Sequence, residues 1–115
     1  MKNNEFFKAL ESQKNHKWGE INALNAWRNG IEKNLDFPVL TNSIWKTDVA
    51  DFLKSMNEAG FKKFGFFATS SIAVKTIVAF TKAGWKLTDI VKFYDHIHYD
   101  WLGLHDIEGL VFERA

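Results

Sequence analysis

The chain has no cysteine among its 115 residues. That absence removes disulfides, thiolate metal ligands and thiol catalysis together, and it is compatible with a reducing compartment. Proline occurs once, at Pro38, and a proline tolerates a strand start or a sheet edge but not a central ladder position. An excess of one charge is lacking as well. Fifteen Lys and Arg stand against fourteen Asp and Glu for a formal net charge of +1, and like charges run no further than pairs such as Lys62-Lys63. This balance argues against nucleic acid or an anionic membrane as partner. No apolar run is long enough to cross a bilayer. Met1 to Glu5 lead into a short amphipathic stretch and not into a leader-like apolar run, so the cytoplasm is the expected location. A phosphate-cradling glycine loop is also missing, because Gly65 and Gly84 have neither the spacing nor the context of a nucleotide fingerprint.

What is abundant is apolar and aromatic area. Hydrophobic residues make up 46% of the chain and aromatic residues 16%, with 11 Phe and 5 Trp. At this length that is enough to build one domain, 1–115, without staples.

The chain is organised around a repeated unit, residues 48–62 and again 72–86, 24 positions later. Each copy begins beside a hydroxyl residue, carries apolar residues at helical spacing, and closes Ala-Gly-aromatic-Lys before a strand-like run. The glycine and following large apolar residue, Gly60-Phe61 and Gly84-Trp85, are what a left-handed helix cap requires. The first helix is expected from Thr47 as cap to Ala59, with Val49, Phe52, Leu53 and Met56 inward. The second is expected over 71–83, with Val74, Ile77, Val78 and Phe80 inward.

Ahead of the repeats, an amphipathic pair of helices is expected, one from Asn3 or Asn4 to Lys14, the other from Trp18 to Lys33 with Ile21, Leu24, Trp27 or Arg28, and Ile31 on its face. Residues 38–44 read as a weak first strand and 63–68 as an interior strand, apolar on both faces. In the run 85–94, Trp85, Leu87, Val91 and Phe93 alternate on one side and Asp89 interrupts them, so a bulge or a strand end is expected to let the carboxylate reach water. A loop over 95–106 leads to a returning antiparallel strand, 107–113. The string is αα-βαβαββ, with an N-terminal helical pair at 1–34 and an α/β (or α+β) body at 38–113. Two crossovers make the first three strands parallel neighbours and the closing hairpin adds an antiparallel fourth. The repeat helices are expected on one face of this small mixed sheet and the N-terminal pair on the other.

The Asp51-Phe52 helix ending Ala59-Gly60, the Thr69-Ser70-Ser71 helix start, Ala83-Gly84 and Glu108-Gly109-Leu110-Val111-Phe112 resemble a family of short uncharacterised bacterial proteins often met among the cargo genes of conjugative elements. The resemblance covers about residues 48–113 and implies a fold without an activity. Many members place a cysteine after the second Ala-Gly, where this chain has Trp85, so the resemblance implies no thiol-based role here.

Three stretches carry candidate chemistry. In extended chain His96, His98 and Asp100 project to one face, as metal ligands would. This run resembles the His-x-His-x-Asp ligands of metallo-β-lactamase-like hydrolases but continues with Trp101 and no downstream ligand set. The expectation is a solvent-facing hairpin loop with no metal and no cofactor. Thr69, Ser70 and Ser71 lie at a strand's carboxyl end and a helix start, where free N–H groups receive anions. An ordinary hydroxyl cap is the simpler account of them, because hydroxyl residues are the commonest helix starts. Neither serine has a nucleophile elbow, so no catalytic residue is assigned. Trp45 and Trp101 fall in expected loops, where an exposed indole anchors a partner or a self-association seam, or else plugs the end of the sheet. The expected function is a non-catalytic accessory or protein-interaction protein. The alternative is a small-ligand or anion-binding domain using 69–71 with the histidine loop 96–106.

Overall fold

The computed structural model describes residues 4–67, 72–93 and 107–115. The elements run α1 (Asn4–Glu11), α2 (Trp18–Glu32), β1 (Val39–Leu40), α3 (Lys46–Glu58), β2 (Lys63–Phe66), α4 (Ile72–Lys82), β3 (Lys86–Phe93) and β4 (Ile107–Glu113).

Three helices stop by the same device. After α3, Gly60 takes φ 84°, its N–H bonds to Asn57 O, and the Phe61 N–H reaches back to Met56 O at 2.9 Å. After α4, Gly84 takes φ 94°, with the matching bonds Gly84 to Thr81 and Trp85 to Phe80. These paired bonds satisfy the last free carbonyls of each helix and swing the next large side chain into the core. Both glycine stops agree with the sequence reading. The end of α2 was not legible in the same way, because Asn34, at φ 56°, fills the left-handed position there while Leu35 N–H bonds to Gly30 O. The start of α3 departs from expectation too. Its cap is Trp45, with no side-chain cap bond, and Thr47 lies inside the helix.

The sheet order is β1-β2-β4-β3. β1 pairs parallel with β2, and β4 pairs antiparallel with both β2 and β3. The first three strands therefore share one direction, as expected, and the closing hairpin is antiparallel. They are not all neighbours, however, because β4 lies between β2 and β3. Burial explains the insertion. Val111 and Phe112, on opposite faces of β4, are both buried, so this strand needs a covered interior position. β3 carries Lys86, Asp89 and Lys92 and a register shift between Leu87 and Asp89, features that suit an edge. The shift is the expected bulge, and Asp89 is exposed. It also breaks the expected alternation: Leu87 pairs with Phe112 on the helix face, whereas Asp89 and Val91 pair with Val111 and Gly109 on the other. At the opposite edge β1 is two residues long, and Pro38 contributes its carbonyl to Gly65 N–H where its missing donor costs nothing.

On the helix face Phe64 is the centre of an aromatic cluster, with ring centroids 4.8 Å from Trp85, 4.9 Å from Phe80, 5.2 Å from Phe52 and 5.7 Å from Phe112. All four helices of the described residues contribute to this one core, including Phe7 and Leu10 of α1 and Leu24 and Trp27 of α2. The N-terminal pair therefore does not cover the opposite face. That face is closed by Phe37, just before β1, and Val39, its first residue, with Leu35, Phe67 and Val91 packed against them, and the Lys63 ammonium 4.7 Å over the Phe37 ring. The buried face of α2 is also rotated from the expected one. Gly19, Ala23, Ala26 and Gly30 are buried beside Leu24 and Trp27, and Ile31 is exposed, because α2 lies close against α3. At Gly19 a Cβ would stand 2.5 Å from Asp48 O and 2.6 Å from Asp51 Cβ, so only glycine fits.

Candidate functional site

α4 reverses the usual polarity of a surface helix. Ala73, Thr76 and Phe80 face inward, and Thr76 is 1% exposed. Its hydroxyl is bonded to Ile44 O at 3.0 Å and Ile72 O at 3.1 Å, which makes burial of the polar group tolerable. Outward, on the same helix, stand Val74 and Val78, at 67% and 44% exposure. Helical spacing predicts both valines in the core, but they stand on the surface instead. The run from Ile72 to Phe80 is apolar over more of the helix circumference than one sheet can cover, which was the signal in the sequence.

Beside them stands Trp45. The residue caps α3 in extended geometry, with φ −67° and ψ 147° and no side-chain cap bond. The indole is 66% exposed and lines two grooves at once. One, of about 490 Å³, is walled by Lys46, Ile72, Val74, Lys75, Val78, Ala79 and Lys82. The other, of about 370 Å³, is shared with Trp18, Asn22, Asn42, Ser43, Ile44 and Asp48. In that second groove the Asn42 amide donates to Asn22 Oδ1 at 3.0 Å and Asn22 donates to Trp18 O at 2.9 Å. These amides are largely engaged with one another and brace the α2 start against the loop before α3. Trp18 is 70% exposed. The two indoles and two valines thus lie on one continuous stretch of surface, and apolar patches of this kind on a folded protein mark contact sites.

Of the residues singled out from the sequence, Trp45 is the one whose position is described. Trp101, Thr69, Ser70, Ser71, His96, His98 and Asp100 lie outside the described residues. Trp18, Val74 and Val78 were not foreseen as surface features. The remaining tryptophans in the described residues, Trp27 and Trp85, are buried. Among the described residues no three His, Asp or Glu side chains converge as metal ligands would, and no helix is long and apolar enough to cross a membrane.

A family model described as a domain of unknown function, DUF7698, matches residues 22–109, a span that holds Trp45, Val74 and Val78 and leaves Trp18 outside. No curated protein and no solved structure matches the chain.

Proposed function

The chain belongs to the DUF7698 family of domains of unknown function, and we propose that it is a non-catalytic protein-interaction domain whose contact surface centres on Trp45. The observation that carries this reading is an indole 66% exposed at the junction of two grooves. A tryptophan is the side chain with most to gain from burial, and interfaces are enriched in it at their energetic centres. Trp101 is a second anchor on sequence grounds. A cytoplasmic protein of bacterial origin, carried as cargo on a conjugative element, fits the resemblance over residues 48–113, and an accessory binding role suits such a gene product.

The test is Trp45→Ala, followed by light scattering over a concentration series and by thermal melting. The reading predicts a melting temperature within about 3 °C of the parent, because exposed side chains contribute about 0.5 kcal/mol or less, together with loss of self-association or of a bound partner. A fall of more than about 8 °C identifies the indole as a plug on the core and refutes the reading.

A further inference from the structure

We infer that the Trp45–α4 groove receives an acidic amphipathic helix from another protein, an inference that rests on the interaction reading above and names its partner's chemistry. The floor is apolar, made by Ile72, Val74, Val78 and Ala79, and the cations along it are Lys46, Lys75 and Lys82, with no carboxylate among the lining residues. None of the three lysines is ion-paired among the described residues, and all three are exposed. A chain with net charge +1 has therefore gathered three unpaired cations around one apolar trough. Complementary charge at an interface rim selects the partner and guides its approach.

The shape argues for a helix. Val74 to Lys82 covers nine residues of α4, about 12 Å from first to last at the helical rise, or about two turns of a docked helix. The volume of about 490 Å³ lies in the range of pockets that take large apolar groups. The lining residues come from α4 and the start of α3, so no free strand edge is offered and recognition by strand addition is excluded there. Helix-in-groove docking uses apolar anchors at helical spacing, and Val74 and Val78, four residues apart, present the matching ridge. A second copy of this chain fits poorly. Among the described residues Val74 and Val78 are the only exposed large apolar pair four apart on a helix, and they are flanked by lysines, so self-docking would oppose like charges.

The experiment uses the full chain and a fluorescently labelled amphipathic peptide of about 16 residues, with leucine at helical spacing and glutamate elsewhere. Companion probes carry lysine or glutamine in place of glutamate, and a single-stranded oligonucleotide completes the set. Anisotropy titrations should show saturable binding of the acidic peptide. Trp45→Ala should abolish it, and the triple variant K46E/K75E/K82E, with an unchanged melting curve, should weaken it by about tenfold or more. Raising salt should weaken it as well. Equal binding of all three peptides, or preference for the oligonucleotide, overturns the acidic partner while leaving a Trp45 contact surface in place. Absence of peptide binding together with a dimer that Trp45→Ala dissolves overturns it in favour of a second copy. No binding and a monomer unaffected by Trp45→Ala removes both this inference and the reading beneath it.

Discussion

Replacing Gly19 by alanine adds one methyl group at the tightest place between α2 and α3. Its Cβ would stand 2.5 Å from Asp48 O, 2.6 Å from Asp51 Cβ and 2.8 Å from Phe52 N. Two of these atoms are backbone in the first turns of α3, so no rotamer change relieves them. Ordinary contact distances begin at about 3.5 Å, so α2 must retreat by about 1 Å. The retreat loosens Ala23, Leu24 and Trp27 from a core they share with Val49 and Phe52. Overpacking of this kind costs about 1–3 kcal/mol. Against it stands the gain from removing a helical glycine, up to about 1 kcal/mol, and reduced here because Gly19 is the second residue of α2. The steric cost wins, leaving a net loss of about 1–2 kcal/mol and a melting temperature lower by about 3–10 °C. Urea unfolding followed by circular dichroism measures it, with Gly19→Val as the larger step in the same direction. An alanine variant with an unchanged or higher urea midpoint would refute the close approach of α2 to α3.

The other stability predictions separate strain from contact. Gly84→Ala meets open space, with nothing within 4 Å of its Cβ, so its loss of about 1 kcal/mol comes from φ alone; Gly84→Asn should lose less in the same urea titration. Asn34→Gly should match or slightly exceed the parent, and Asn34→Ala should fall below it, if the left-handed cap of α2 is what that position supplies. Thr76→Val keeps the volume but strips a donor from Ile44 O, predicting a loss of about 1–2 kcal/mol by chemical denaturation. A neutral result there would mean that the hydroxyl does not hold the loop before α3 to α4.

Much of the architecture is legible from local chemistry. Ala-Gly-aromatic-Lys marks both glycine stops because a left-handed cap leaves few alternatives to glycine, and Pro38 locates an edge because proline lacks the donor. Long-range decisions are less visible. Nothing local says that β4 slips between β2 and β3, yet the consecutive apolar residues Leu110, Val111 and Phe112 against the charged alternation of β3 contain the reason. The inward face of α2 is not legible from its large apolar residues, because Gly19, Ala23, Ala26 and Gly30 are buried there too and at Gly19 the helix comes close to the α3 backbone. Of the candidate site, Trp45 was legible as an indole outside regular structure. Val74 and Val78 were not, since helical spacing alone cannot distinguish a core stripe from a second stripe beside it.

That second stripe connects fold to function. If α4 served the core alone, the economical sequence would place an apolar residue at 76 and polar ones at 74 and 78. The chain does the reverse: it buries Thr76, where the hydroxyl must be satisfied by the Ile44 carbonyl, and exposes two β-branched apolar residues that are intrinsically weak helix formers. The Thr76 bond ties α4 to the residue next to Trp45, so the feature that looks wasteful in the core also fixes the loop that carries the exposed indole beside the exposed valines. Exchanging the pattern, with Thr76→Val combined with Val74→Thr and Val78→Thr, should therefore retain the helix while reducing the affinity of this surface for an apolar partner. The anisotropy titration and a melting curve read on the same sample separate those effects. Undiminished binding by the exchanged variant would show that the outer valines are incidental to recognition.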